Sequence, residues 1–174
     1  MTRQKINGEN QRVFRFWISK REFPKLSNEE VMRITSKLGM ALEFDTFVNP
    51  NIASSKAISE ITSIDEIPPE FVGFKEITNI DSIWSKEVPP LYFFKICDNY
   101  GLSDVFEMFY KMRALDVRFV LIGYENQREQ FEELLRERPY LMIKERYHFW
   151  SHFELLQFYR TATEFVKQKK KFLT

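Results

Sequence analysis

Three short polar stretches carry the residue types that chemistry needs. Asp98-Asn99-Tyr100-Gly101 and Gly123-Tyr124-Glu125-Asn126 each set a carboxylate beside a tyrosine and an amide. Arg146-Tyr147-His148-Phe149 adds an imidazole, with Trp150 just beyond. Asp98 or Glu125 is the candidate general base, and His148 is a candidate for proton transfer because histidine titrates near neutrality. Asn99, Tyr100, Gly101, Tyr124, Asn126, Tyr147 and Trp150 are the residues that would line a ligand crevice around them. Turns also demand Asp, Asn and Gly for backbone reasons alone, and that plainer reading stands beside the catalytic one.

Metal and nucleotide chemistry find less to work with. His148 and His152 stand four apart, but zinc needs at least a third protein ligand, for which Glu145 is the near candidate. No metal site and no cofactor are expected. With only five glycines and no GxxxxGK[ST], GxGxxG or GxSxG, no phosphate-cradling loop or nucleophile elbow of those kinds is present.

Basic side chains gather at both ends. Arg12 and Arg15 interleave with Phe14, Phe16 and Trp17, as on a basic-aromatic nucleic-acid face or on a strand with one packed side. Lys167, Lys169, Lys170 and Lys171 close the chain, where they suit RNA phosphates, an acidic partner or simply the negative end of a helix.

Elements must position these groups. Gln11–Ser19 alternates as a strand. Ser27-Asn-Glu-Glu30 is a capping box opening a helix that Gly39 would close, and Met40–Val48 returns to extended spacing, giving β-α-β. Residues 49–90 are the least patterned, with a short helix near Ser55–Ile61 and an extended run at Phe71–Ile77. From there the pattern sharpens. Leu91–Cys97 and Val117–Gly123 are continuous apolar runs, as in strands buried on both faces. Helices are predicted from Leu102 to Met112, over Glu125–Arg138 and over Trp150–Lys167, with a third strand at Tyr140–Glu145. Strands alternating with helices imply right-handed parallel crossovers. The expected fold class is α/β: a three-layer, Rossmann-like parallel sheet in the C-terminal half, preceded by the β-α-β segment. In such a sheet ligands bind beyond the carboxyl ends of the strands, and that rule selects the three polar loops.

Leu115-Asp-Val-Arg-Phe-Val-Leu-Ile-Gly123 with Gln127-Arg-Glu-Gln-Phe-Glu-Glu-Leu-Leu135 resembles the strand and helix of the C-terminal half of GT-B glycosyltransferases. Gly101–Phe109 and Glu154-Leu-Leu156 with Tyr159 and Ala162 look like neighbouring helices of that family, so the resemblance spans residues 90–166. It implies a Rossmann-like half-domain and a nucleotide-sugar ligand. The glutamates that bind the sugar nucleotide in the family would follow Val166, where this chain is lysine-rich, so no catalytic residue is carried over.

Composition frames all of this. The chain has 174 residues, 44% hydrophobic and 29% charged, with 18 Phe, 7 Tyr and 3 Trp, which excludes a disordered polymer. Cys97 is the only cysteine, so no internal disulfide can form, and an intracellular, reducing compartment (cytoplasm or organelle matrix) is expected. No apolar run reaches the length of a membrane span. The net charge of +1 hides a segregation: +5 over residues 1–40, −8 over 41–110 and +4 over 111–174. The expected organisation is a basic β-α-β segment (1–48), an acidic linker with a short strand (49–90) and an α/β domain with a basic tail (91–174), unless they form one continuous domain. The expected function is a non-enzymatic component of a larger assembly, such as an organellar ribosome, another multi-subunit complex or a phage-encoded interaction protein, contacting other protein subunits, with RNA a further candidate partner through the basic termini. The alternative is a glycosyltransferase-like or other small-ligand domain using the strand-end crevice.

Overall fold

The apolar runs assemble into one five-stranded sheet with helices on both faces, in a computed structural model that describes residues 2–6, 9–13, 24–49, 71, 73–86, 91–97 and 101–173. At the N-terminus β1 (Thr2–Ile6) and β2 (Glu9–Val13) form a separate antiparallel pair. The expected strand at Gln11–Ser19 overlaps β2, and its remaining residues lie outside the described ones. Helix α1 (Asn28–Ala41) starts as expected: the Glu30 amide donates to Ser27 Oγ at 3.3 Å, and the Ser27 amide donates to Glu30 Oε2 at 2.8 Å.

The end of α1 differs from expectation. Gly39 lies inside the helix, and the chain reverses at Glu43, whose φ of 63° is left-handed. The Phe44 amide donates to the Gly39 carbonyl and the Glu43 amide to the Met40 carbonyl, the two bonds of a Schellman turn. Gly39 is needed for another reason. A Cβ there would sit 2.6 Å from Thr46 Cγ2 and from Trp84 Nε1, so the glycine lets α1 lie against the sheet. The extended run is accordingly shorter than Met40–Val48.

The sheet runs β3 (Asp45–Val48), β4 (Ser82–Ser85), β5 (Leu91–Ile96), β6 (Val117–Gly123), β7 (Tyr147–Ser151), in chain order. The first two junctions are antiparallel and the last two parallel. Strand β4 has no counterpart in the sequence reading, and Phe71–Ile77, expected to be extended, leads into a 3-10 turn at Lys75–Asn79. The predicted helix at Ser55–Ile61 lies outside the described residues. The N-terminal segment has the expected β-α-β order in β2, α1 and β3, with β2 and β3 in different sheets.

Helix α2 (Leu102–Lys111) links β5 to β6. Helices α3 (Arg128–Leu134) and α4 (Arg138–Leu141) link β6 to β7, and α5 (His152–Leu173) follows β7. The strand expected at Tyr140–Glu145 is therefore α4 and a 3-10 turn, Lys144–Arg146. Pro139, read as a terminator, instead stands in the first turn of α4, where its fixed φ and missing N–H cost nothing. The third parallel strand is the aromatic run that follows.

Two cores result, one per face. Phe93, Phe119, Leu121 and Phe149 of the sheet meet Phe106 and Phe109 of α2 and Phe131 of α3. Trp84, Phe94, Val120 and Ile122 meet Val31 and Leu38 of α1 and Leu155 of α5. Between them, side chains of β5 and β6 alternate face by face, which is why both strands read as unbroken apolar runs. One charged pair interrupts the first core: Lys95 Nζ lies 2.8 Å from Asp81 Oδ1, and both are buried. Burial pushes the Asp81 carboxyl up while Lys95 pulls it back.

Candidate functional site

After β6 the chain turns toward the α2 face, through Tyr124 and a 3-10 turn at Glu125–Gln127 into α3. After the adjacent β7 it turns to the opposite face, into α5, which packs on α1. Neighbouring parallel strands whose connections leave on opposite sides create a crevice at their carboxyl ends. A cavity of about 580 Å³ lies there, a size that suits a small organic ligand. Its walls are Tyr124, Glu125, Asn126 and Glu129 on one side, Ser151, His152 and Phe153 on the other, with Pro24 and Lys25 crossing the mouth.

Local sequence builds each wall. Gln127 folds back: its Oε1 accepts from the Tyr124 amide at 2.8 Å and its Nε2 donates to the Cys97 carbonyl at 3.2 Å. Gly123 makes room, since a Cβ would stand 2.3 Å from Gln127 Oε1. Across the crevice a second capping box starts α5, with the Ser151 amide donating to Glu154 Oε2 at 2.8 Å and the Glu154 amide to Ser151 Oγ at 3.2 Å. The two walls are tied by Arg128. Its Nε donates to Glu125 Oε1 at 2.7 Å, and its Nη2 reaches both Glu125 Oε2 and Glu154 Oε2.

Electrostatics follow from those contacts. The Arg128 guanidinium holds the Glu125 carboxyl below the usual glutamate range, against partial burial, with Ser151 adding to the effect. The same partners raise Arg128 further above its already high value, Glu125 first. Glu125 is thus a held anion that fixes the wall. Glu129 is exposed at the rim. His152 is buried, and its Nδ1 accepts from the Leu26 amide at 3.1 Å. Its ring lies 4.8 Å from that of Tyr124, and Lys25 Nζ stands 5.8 Å from the Tyr124 centroid on the cationic side of the mouth. The arrangement offers donors and acceptors of both signs beside aromatic surface. The positive end of α5 is already occupied by its own Glu154.

Of the residues singled out in the sequence, Tyr124, Glu125 and Asn126 come together in this crevice. Asp98, Asn99 and Tyr100 lie outside the described residues, and Gly101 is exposed at the start of α2. Tyr147 and His148 are not at a strand's carboxyl end; they begin β7. Tyr147 is buried, stacked 4.7 Å from Phe106, and desolvation drives its hydroxyl strongly upward. His148 is exposed on the same strand and so shares no helix face with His152. Partial desolvation, then the Arg118 charge, hold its imidazole below the ordinary range. Trp150 packs against Trp84 and Phe94 in the α1–α5 core. Arg12 lies in β2, Arg15 is outside the described residues, and Lys167, Lys169, Lys170 and Lys171 are exposed on α5. Lys169 Nζ is 2.7 Å from Glu43 Oε1.

Lys25, Glu129, Ser151 and Phe153 were missed, as was the linking role of Arg128 and Glu154. One signal was legible: Ser151-His-Phe-Glu154 has the same capping-box spacing as Ser27-x-x-Glu30, and it marks where the strand must end. Among the described residues no group of three His, Cys, Asp or Glu could hold a metal ion, and no helix is long and apolar enough to cross a membrane. No protein-family model matches the chain, and no curated protein or solved structure matches it.

Proposed function

We propose that the chain is a small-ligand-binding α/β domain whose ligand, a neutral molecule rich in hydroxyl groups such as a nucleoside or sugar, lies in the crevice between β6 and β7. The observation that carries this reading is a cavity of about 580 Å³ where the connections of two parallel strands diverge, lined by an amide, carboxylates, a lysine and aromatic rings. Mixed donors and acceptors beside aromatic surface suit hydroxyls with apolar faces. Phosphate is disfavoured because Glu154 already fills the α5 N-terminus and Glu125 and Glu129 stand nearby. Of the nucleotide-sugar ligand that the glycosyltransferase resemblance implies, the crevice thus favours the nucleoside or sugar part over the diphosphate.

Calorimetric titration of the full chain with uridine, UMP and glucose tests this. Uridine or glucose is expected to bind, with affinity falling at least about tenfold in Asn126→Ala and in Tyr124→Ala, a loss of about 1.4 kcal/mol. Failure of all three to bind, or tenfold tighter binding of UMP than of uridine, would overturn the proposal.

A second reading, a subunit of a larger assembly, is favoured by exposed Lys167, Lys170 and Lys171, which lie beyond Ala162, the last buried residue of α5 among the described side chains. Salt-sensitive co-purification of RNA, lost when these lysines are replaced by glutamine, is its expected signature.

A further inference from the structure

Three phenylalanines on α5 are exposed: Phe158 at 40%, Phe165 at 64% and Phe172 at 76%. They stand seven residues apart, so at about 100° per residue they fall within about 20° of one line along the helix. The buried residues Leu155 and Ala162 lie about 60–80° around from that line. The seam therefore runs along the flank of α5 rather than into the core. It continues from the body of the protein, because Phe158 meets Trp150 of the edge strand β7 edge-on at 5.5 Å.

We infer that this seam pairs with the same seam of a second copy of the chain, the two α5 helices running antiparallel about a two-fold axis beside Phe165. Charge selects that occupant. The side chains flanking the seam away from the core are Thr161 and Gln168, which are uncharged. Lys167, Lys170 and Lys171 project at least about 120° away, so an anionic partner or membrane would meet the phenylalanines without meeting them. Lys169, nearer the seam, is held by Glu43. Two such neutral seams face each other without apposing like charges.

Orientation follows from the same residues. A parallel pair would crowd both lysine-rich ends together. An antiparallel pair sets Lys169, Lys170 and Lys171 roughly 12–18 Å along the axis from their symmetry mates, beyond the roughly 8 Å screening length at physiological salt, and opposes the helix dipoles. Phe158 of one copy then meets Phe172 of the other. The phenylalanines bring on the order of 350 Å² of exposed surface per copy, about 60% of the smallest stable interface once both are counted. Thr161, Gln168 and the β7 flank supply the remainder. This inference is independent of the crevice reading.

Light scattering after size exclusion, on the full chain at micromolar concentration, is expected to give twice the 21.1 kDa chain mass. The double variant Phe165→Ser, Phe172→Ser is expected to run as a monomer, its dissociation constant raised at least about 30-fold, with an unchanged circular-dichroism spectrum. Orientation is read separately. Phe165→Cys is expected to cross-link under mild oxidation, whereas Phe172→Cys alone does not. A monomeric wild type, a dimer indifferent to the serine pair, or cross-linking of Phe172→Cys would each overturn the proposal. So would a monomer that sediments with anionic vesicles, which would make the seam a lipid contact.

Discussion

At Gly39 a methyl group has no room. Alanine is the better helix former by about 1 kcal/mol, but its Cβ would press on Thr46 and on the indole of Trp84, which donates to the Thr35 carbonyl. The indole cannot yield, since Phe44, Phe94 and Trp150 pack around it. Gly39→Ala is therefore expected to lower stability by about 1–3 kcal/mol in urea denaturation, despite its helical position. His148 offers a test of sign. Its folded pKa lies below the ordinary 6.5, so the neutral form is favoured in the folded state. The stability it contributes is complete above 6.5 and is lost as pH falls from there toward the lowered value. His148→Gln is expected to flatten that part of the stability curve, leaving the loss from carboxylate protonation at lower pH. Denaturation midpoints of both proteins between about pH 7.5 and 5.5 give the comparison.

Elements meet at Arg128, which joins the turn before α3 to the first turn of α5. Its side chain is 30% exposed, and those of Glu125 and Glu154 are 38% and 46%, so the contacts are partly screened. Arg128→Met is expected to cost about 1 kcal/mol, below the value of a buried pair. Arg128→Met and Glu154→Gln should be non-additive by about 0.5 kcal/mol or more in a double-mutant cycle, since they share one contact. Additive losses would mean that the crevice walls are anchored independently. How the sequence read at this scale depended on the element. Ser27 and Glu30 announced α1, and the apolar runs of β5 and β6 were unmistakable. Around β7 the reading slipped, because Tyr140-Leu-Met-Ile143 reads as extended when Pro139 is taken as a stop. Pro at a first helical turn is equally good chemistry, and only the docking of Tyr140 edge-on against Phe106, 4.9 Å away, selects it. With β7 placed too early, Tyr147 and His148 were assigned to a crevice that forms four residues later.

At the scale of the molecule the five-stranded sheet separates two apolar layers, so neither layer can open without exposing the strands that the other covers. Phe109 is fully buried in the α2 layer, stacked 4.6 Å from Phe119. Phe109→Ala is expected to cost about 3–5 kcal/mol. Tryptophan fluorescence, to which Trp84 and Trp150 contribute from the opposite layer, should report the same shift as circular dichroism. Separate transitions would show that the layers fold independently. The phenylalanine surplus and the alternation of strands with helices are properties of the chain itself, because burial on both faces requires continuous apolar runs and any such run declares itself by composition. The α/β class, the start of α1, strands β5 and β6, and the Tyr124-Glu125-Asn126 wall were determined at that level. The opposite wall was not. Ser151, His152 and Lys25 reach the crevice only because β7 sends its helix to the other face and the segment before α1 crosses the mouth. Which face a connection takes is decided by long-range packing, which leaves no local pattern in the residues it brings together.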